Sequence, residues 1–159
     1  MKKIISAALL FVSTVMAPPA WSTILPTTFE ALTQGADLIC LAHVQKNGIQ
    51  SYQMTNPHGD QWIESTVQLD IEKCLKGSGP RVIEVRILGG KIGDWVETNS
   101  VSAEFEEREH VIVFLKKILG GYRIYKNFLG KYTISNQGTL VETGQSYTDF
   151  LKNLKGPQK

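Results

Sequence analysis

Two cysteines and three histidines carry most of the reactive chemistry in this sequence. Cys40 and Cys74 would form one intramolecular disulfide in an oxidising compartment. The alternative is two buried free thiols that behave as small apolar side chains. His43, His58 and His110, with the acids of "AEFEEREH" nearby, are side-chain types that ligate zinc or manganese. None stands at an HExxH or comparable spacing, so the local pattern predicts no metal site. It reads instead as an outward-facing strand histidine, a loop histidine and an acidic turn in solvent. Nucleophilic catalysis lacks its markers as well, with no GxSxG elbow and no SxxK. "GSGP" and "LGGKIG" are glycine-rich, but neither has a phosphate-binding pattern nor opens a predicted helix. They read as turns, and no cofactor is implied. Among the aromatics, Tyr52, Trp62 and Trp95 fall in or beside polar segments, where a small barrel presents its binding loops. They are the candidate contact residues, with sealing of the barrel ends as the alternative role.

The elements that must position these residues are mostly strands. In "STVQLDIEKCLKGSG", Val67, Leu69 and Ile71 alternate with polar residues at the two-residue period of a half-buried strand running from Trp62 to Leu75. The alternation fails at Lys73-Cys74-Leu75, which predicts a bulge that returns Cys74 to the inner face. "ADLICLAHVQ" is an earlier strand buried on both sides for part of its length. If the two are antiparallel neighbours, the beginning of one lies beside the end of the other, and Cys40 meets Cys74. Between them "KNGIQSYQMTNPHGDQ" reads as a polar connection with turns at Asn47-Gly48 and Asn56-Pro57. "RVIEVRIL" is a third strand with Ile83, Val85 and Ile87 on one side, and "KIGDWVE" is expected to prolong it past a bend at Gly89-Gly90. "EHVIVFLKK" is the fourth, "YRIYKNFLGKYTIS" a fifth bent at Gly130, and "NQGTLVE" a closing hairpin turn and short strand.

A short helix is predicted at each end. "TTFEALTQG" would be capped by Thr27 with Glu30 three places on and closed by Gly35 in the left-handed conformation, its Phe29 and Leu32 covering an open end of the core. From Ser146 to Lys155, Tyr147, Phe150, Leu151 and Leu154 fall on one helical face. Five strands flanked by two helices, without strand–helix alternation, predict a mainly β fold: a small closed five-stranded OB-like barrel.

The first 22 residues combine Lys2 and Lys3, an apolar run from Ile4 to Ala17, and an Ala-x-Ser site at Ala20 to Ser22. This is the pattern of a secretory signal peptide, so the mature chain is expected to begin near Thr23 as one domain over 23–159, periplasmic or secreted. The apolar run is shorter than the roughly 20 residues a bilayer requires, and no membrane span is expected after cleavage. The chain's formal charge of +2 resides in the two leader lysines, so the remainder is neutral. A neutral domain is a poor match for nucleic acid, whose binding draws on excess Lys and Arg.

The succession "ADLICLAHV", "STVQLDIEKCLKG", "IEVRILGG", "EREHVIVFL" and "LGKYTIS" resembles a family of uncharacterised exported bacterial domains with an OB-like barrel, over roughly Thr28 to Ser135. Its first two strands are also similar, more distantly, to the netrin-like module of tissue inhibitors of metalloproteinases. That resemblance implies a protein-binding barrel. Those inhibitors chelate zinc with an N-terminal cysteine, whereas this chain is expected to begin at Thr23, so the inhibitory residue does not carry over. The expected function is an exported, non-catalytic binding module for a protein or other envelope component. Its alternatives are a small hydrolytic or metal-dependent enzyme using His43, His58 or His110, and a structural envelope protein.

Overall fold

The alternating segment around Val67 becomes the central member of a closed sheet in the computed structural model, which describes residues 28–154. The expected signal peptide lies outside the described residues, as does Thr27. The elements in chain order are α1 (Phe29–Gly35), β1 (Leu38–Thr55), β2 (Gln61–Lys76), β3 (Val82–Leu88), β4 (Gly90–Ile92), β5 (Trp95–Glu97), β6 (His110–Ile118), β7 (Gly121–Ile124), β8 (Lys131–Thr133) and α2 (Tyr147–Leu154). Strands pair in the order β1-β2-β3-β7-β6, and β6 pairs back with β1. Closure runs through a parallel bridge between Val85 and Tyr122, and every other strand contact is antiparallel. β7 and β8 are two halves of one bent strand, broken by a 3-10 turn at Asn127–Gly130 and both paired with β6. The fold is therefore the expected mainly β, five-stranded OB-like barrel with two small helices. Among the described residues no helix is long and apolar enough to cross a membrane.

Two apolar clusters hold it together, one on each face of β1 and β6. Cys40, Ala42, Val44, Val67, Leu69, Val85, Val111 and Val113 fill the barrel. Ile39, Leu41, Ile112 and Phe114 point out of it and are covered by Leu32 of α1 and Phe150 of α2. Hence β1 and β6 read as unbroken apolar runs where they cross, being buried on both sides. Phe114 packs edge-on against Phe29 and Phe150, with ring centroids 6.2 and 6.4 Å away. Helix α1 thus covers the outer face of the sheet rather than an open end of the barrel.

Its caps also differ from the expected ones. Thr28, not Thr27, caps the N-terminus by accepting a 3.1 Å hydrogen bond from the Ala31 amide. At the other end the ammonium of Lys76 donates to the carbonyls of Thr33, Gln34 and Ala36, and Lys116 donates to that of Gly35. Two cations on the last carbonyls satisfy the helix terminus, so Gly35 has no need of a left-handed turn. A Cβ at position 35 would meet the phenol end of Tyr125, so any larger residue there requires that ring to shift.

Two further expectations are corrected. The stretch read as a polar connection is mostly strand, since Ile49–Thr55 pairs with Gln61–Val67 to form a hairpin arm turning at Asn56–Asp60. Asn47-Gly48 is a bulge rather than a chain reversal, with the pairing register shifting between Val44 and Ile49. On the β1 side of the arm no side chain from Gln50 to Thr55 is buried, which removes the apolar alternation that marks a strand. "KIGDWVE" does not prolong β3. Gly89 and Gly90, at φ of +96° and +144°, swing the backbone away, and β4 and β5 form a separate hairpin.

Candidate functional site

The bulge expected at Cys74 decides the chemistry of this part of the barrel. Leu41 opposes Lys73 and Ala42 opposes Ile71, so Glu72 is the extra residue of β2 with no partner of its own. Past the bulge the faces exchange: Ile71 and Cys74 both pack on the inner cluster, and Leu75 on the outer one. Cys40 and Cys74 are consequently opposed in register, with Cα atoms 4.0 Å apart, and they form a disulfide.

Register also assembles the histidines. His43 of β1 is the direct cross-strand partner of His110 of β6, and their rings stack with centroids 4.1 Å apart and planes 11° from parallel. Glu72 reaches the same spot from the other neighbour of β1, placing its Oε2 3.6 Å from His43 Nε2 and 3.3 Å from His110 Nε2. Both contacts lie in ion-pair range, and the buried His110 Nε2 has no hydrogen-bond partner of regular geometry among the described residues. Burial and then the neighbouring His43 lower the pKa of His110, against the pull of Glu72. Burial, and secondarily the charge of Glu72, raise that of Tyr147 at the start of α2. His58 takes no part: its amide binds the Asn56 side chain at the tip of the arm. The acids of 104–109 do not join the cluster either. The carboxylate that does, Glu72, was signalled in the sequence only by the failing alternation beside it.

A groove of about 670 Å³ opens at the barrel mouth, between the root of the β1–β2 arm, the β4–β5 hairpin and the 98–106 connection. On one wall Ser65, an inward-facing serine in an otherwise apolar series, meets the Ser51 hydroxyl at 2.8 Å and donates to the Gly89 carbonyl at 2.7 Å. On another, Lys131 and Glu109 form a 2.6 Å ion pair at 10% and 13% exposure. Thr133 donates to the same carboxylate, and the Lys131 ammonium lies 5.1 Å from the centre of the Phe105 ring. Besides this pair the groove is lined by Glu97, Glu104, Glu106 and Lys91, so its walls carry four carboxylates against two ammonium groups. Among the described residues β5 pairs only with β4, leaving its other edge unpaired, and Val96 on that strand is exposed at the groove.

The three candidate aromatics do not form one surface. Tyr52 and Trp62 share a face of the arm, since Tyr52 opposes Glu64 and Met54 opposes Trp62. The β4–β5 hairpin that carries Trp95 contacts the opposite face, where the Lys91 amide donates to the Ser51 hydroxyl. None of the three lines the groove. Comparison of the chain with known protein families, curated proteins and solved structures finds no match.

Proposed function

We propose that this chain is an exported, non-catalytic binding module whose barrel-mouth groove takes an extended, basic segment of a partner protein. The observation that carries this reading is the open edge of β5 running beside a groove with an excess of carboxylates. An unpaired strand edge offers backbone donors and acceptors to another extended chain, and the flanking groove selects its side chains. Exposed Val96 and the apolar stems of Ile87 and Phe105 supply contact area, and Glu104 and Glu106 supply attraction for Lys or Arg. Export is supported by the leader-like pattern of the first 22 residues and by a disulfide, which persists where thiols are oxidised.

The test is an amide-resolved NMR titration with a short peptide alternating valine and lysine, compared with one alternating valine and glutamate. Saturable shifts confined to Trp95–Asn99 and 104–106 with the basic peptide are expected. Glu104→Gln with Glu106→Gln should weaken binding about tenfold, as befits two partly solvated charge contacts. Equal response to both peptides, or shifts elsewhere only, would overturn the reading.

A further inference from the structure

We infer that His43, Glu72 and His110 form a binding site for one divalent transition-metal ion of the zinc class, on the outer face of the barrel and separate from the groove. Three ligand atoms from three strands lie within 4.8 Å of one another. A tetrahedral zinc ion bound at about 2.0–2.1 Å holds neighbouring ligand atoms roughly 3.3 Å apart. The carboxylate oxygen already stands 3.3 Å from one imidazole nitrogen and 3.6 Å from the other. Apart from the Glu72 carboxylate, the buried Nε2 of His110 has no polar partner among the described residues. With each imidazole proton on Nδ1, the two Nε2 atoms and the Glu72 carboxylate offer three lone pairs that one cation accepts together.

The stacked rings hold their lone pairs side by side rather than convergent. One ring must therefore turn as the ion enters. His43 is the one free to do so, being half exposed and making no side-chain hydrogen bond among the described residues. His110 is held more firmly at the start of β6. The backbone is braced as well. The disulfide two residues beyond Glu72 locks the bulge, and His43 and His110 are fixed opposite each other by the β1–β6 ladder. Two imidazoles and one carboxylate suit zinc, copper or nickel, whereas calcium and magnesium call for a shell of oxygens. Glu72 and His43 are both about half exposed, so the remaining coordination positions open to solvent.

Calorimetric titration of the disulfide-intact, chelator-treated protein with zinc chloride tests the site. One ion per chain is expected, with no heat from calcium or magnesium, and with the Nε2 resonances of His43 and His110 shifting in long-range ¹H–¹⁵N spectra. Loss of an outer-shell partner alone weakens metal sites 10- to 100-fold, so His43→Gln and His110→Gln should each weaken binding by at least about tenfold. Glu72→Gln should weaken it too, while His58→Ala should leave it unchanged. His43→Gln alters only a half-exposed side chain, which keeps the test decisive if His110→Gln fails to fold. No saturable uptake, uptake that survives His43→Gln, or uptake lost with His58→Ala would overturn the inference.

Discussion

Reducing the Cys40–Cys74 bond should lower the stability of the barrel by nearly 4 kcal/mol without changing its shape. The bond closes a loop with a sequence separation of 34. On the chain-entropy treatment, a loop of that length restricts the unfolded chain by about 13 cal/mol/K, or about 3.8 kcal/mol at 25 °C. The folded side of the balance changes little. Cys40 and Cys74 already face each other across neighbouring strands, and the strand pairing continues on both sides of them. Reduction removes no atoms but hydrogen-caps the sulfurs, so it leaves no cavity, and a buried thiol behaves as a small apolar group. For a domain of this size, 3.8 kcal/mol corresponds to a fall in Tm of about 14 °C. Residual structure in the unfolded chain makes that figure an upper bound. The assay compares thermal melts of the oxidised protein with protein reduced under denaturing conditions and refolded, with thiols counted by alkylation and intact mass. Two alkyl groups taken up without reductant would refute the bond itself. A Tm shift below about 3 °C, with the bond confirmed, would refute the argument that it acts through the unfolded chain.

Gly90→Ala should destabilise the fold by about 2–4 kcal/mol in urea denaturation, from strain at φ +144° together with disruption of the serine pair. The added Cβ would meet the Ser65 hydroxyl and stand 2.5 Å from that of Ser51, so an unchanged midpoint would show that the pair yields freely. Glu109→Gln leaves the nearly buried Lys131 ammonium without its counter-charge and should cost about 3–5 kcal/mol, most of it recovered when Lys131→Met is added. Asp37 accepts from the Lys116 ammonium and the Lys117 amide, which hold its pKa below the usual 3.8. Its contribution is therefore complete above that value and lost as pH falls through the lower folded one. The Tm gap between wild type and Asp37→Asn should be constant near neutrality and close in acid; a gap that widens in acid contradicts the assignment.

Much of the barrel was legible because its strands advertise their buried face. Val67, Leu69 and Ile71 alternate, and Ile83, Val85 and Ile87 do the same; where β1 and β6 cross, burial on both sides turns the alternation into continuous apolar runs. The misreadings fall where that signal is absent. The buried side chains at the tip of the β1–β2 arm, Ile63 and Ser65, both come from β2, so Gln50–Thr55 reads as a connection although it pairs as regularly as the rest. The expected left-handed end of α1 failed for a different reason: Lys76 and Lys116 come from distant strands to cap the helix, and no local motif announces a cap of that kind.

The candidate sites obey the same division between local pattern and register. A motif search looks for ligands at helical spacing, and on that measure His43, Glu72 and His110 are unrelated. On a sheet, ligands on one face come from adjacent strands, and their separation along the chain reflects only the lengths of the hairpins between them. Once β1 lies between β2 and β6, a residue of β1 pointing outward has one neighbour on each side; those level with His43 are Asp70 and His110, and Glu72 reaches the pair from the bulge two residues along β2. The bulge that aligns Cys74 with Cys40 leaves Glu72 without a pairing partner and Lys73 beside it in solvent. One irregularity in β2 therefore serves both the covalent bond inside the barrel and the histidine cluster outside it. The broken alternation at Lys73-Cys74-Leu75 was visible from the sequence, but its second consequence needed β6 in place to be seen.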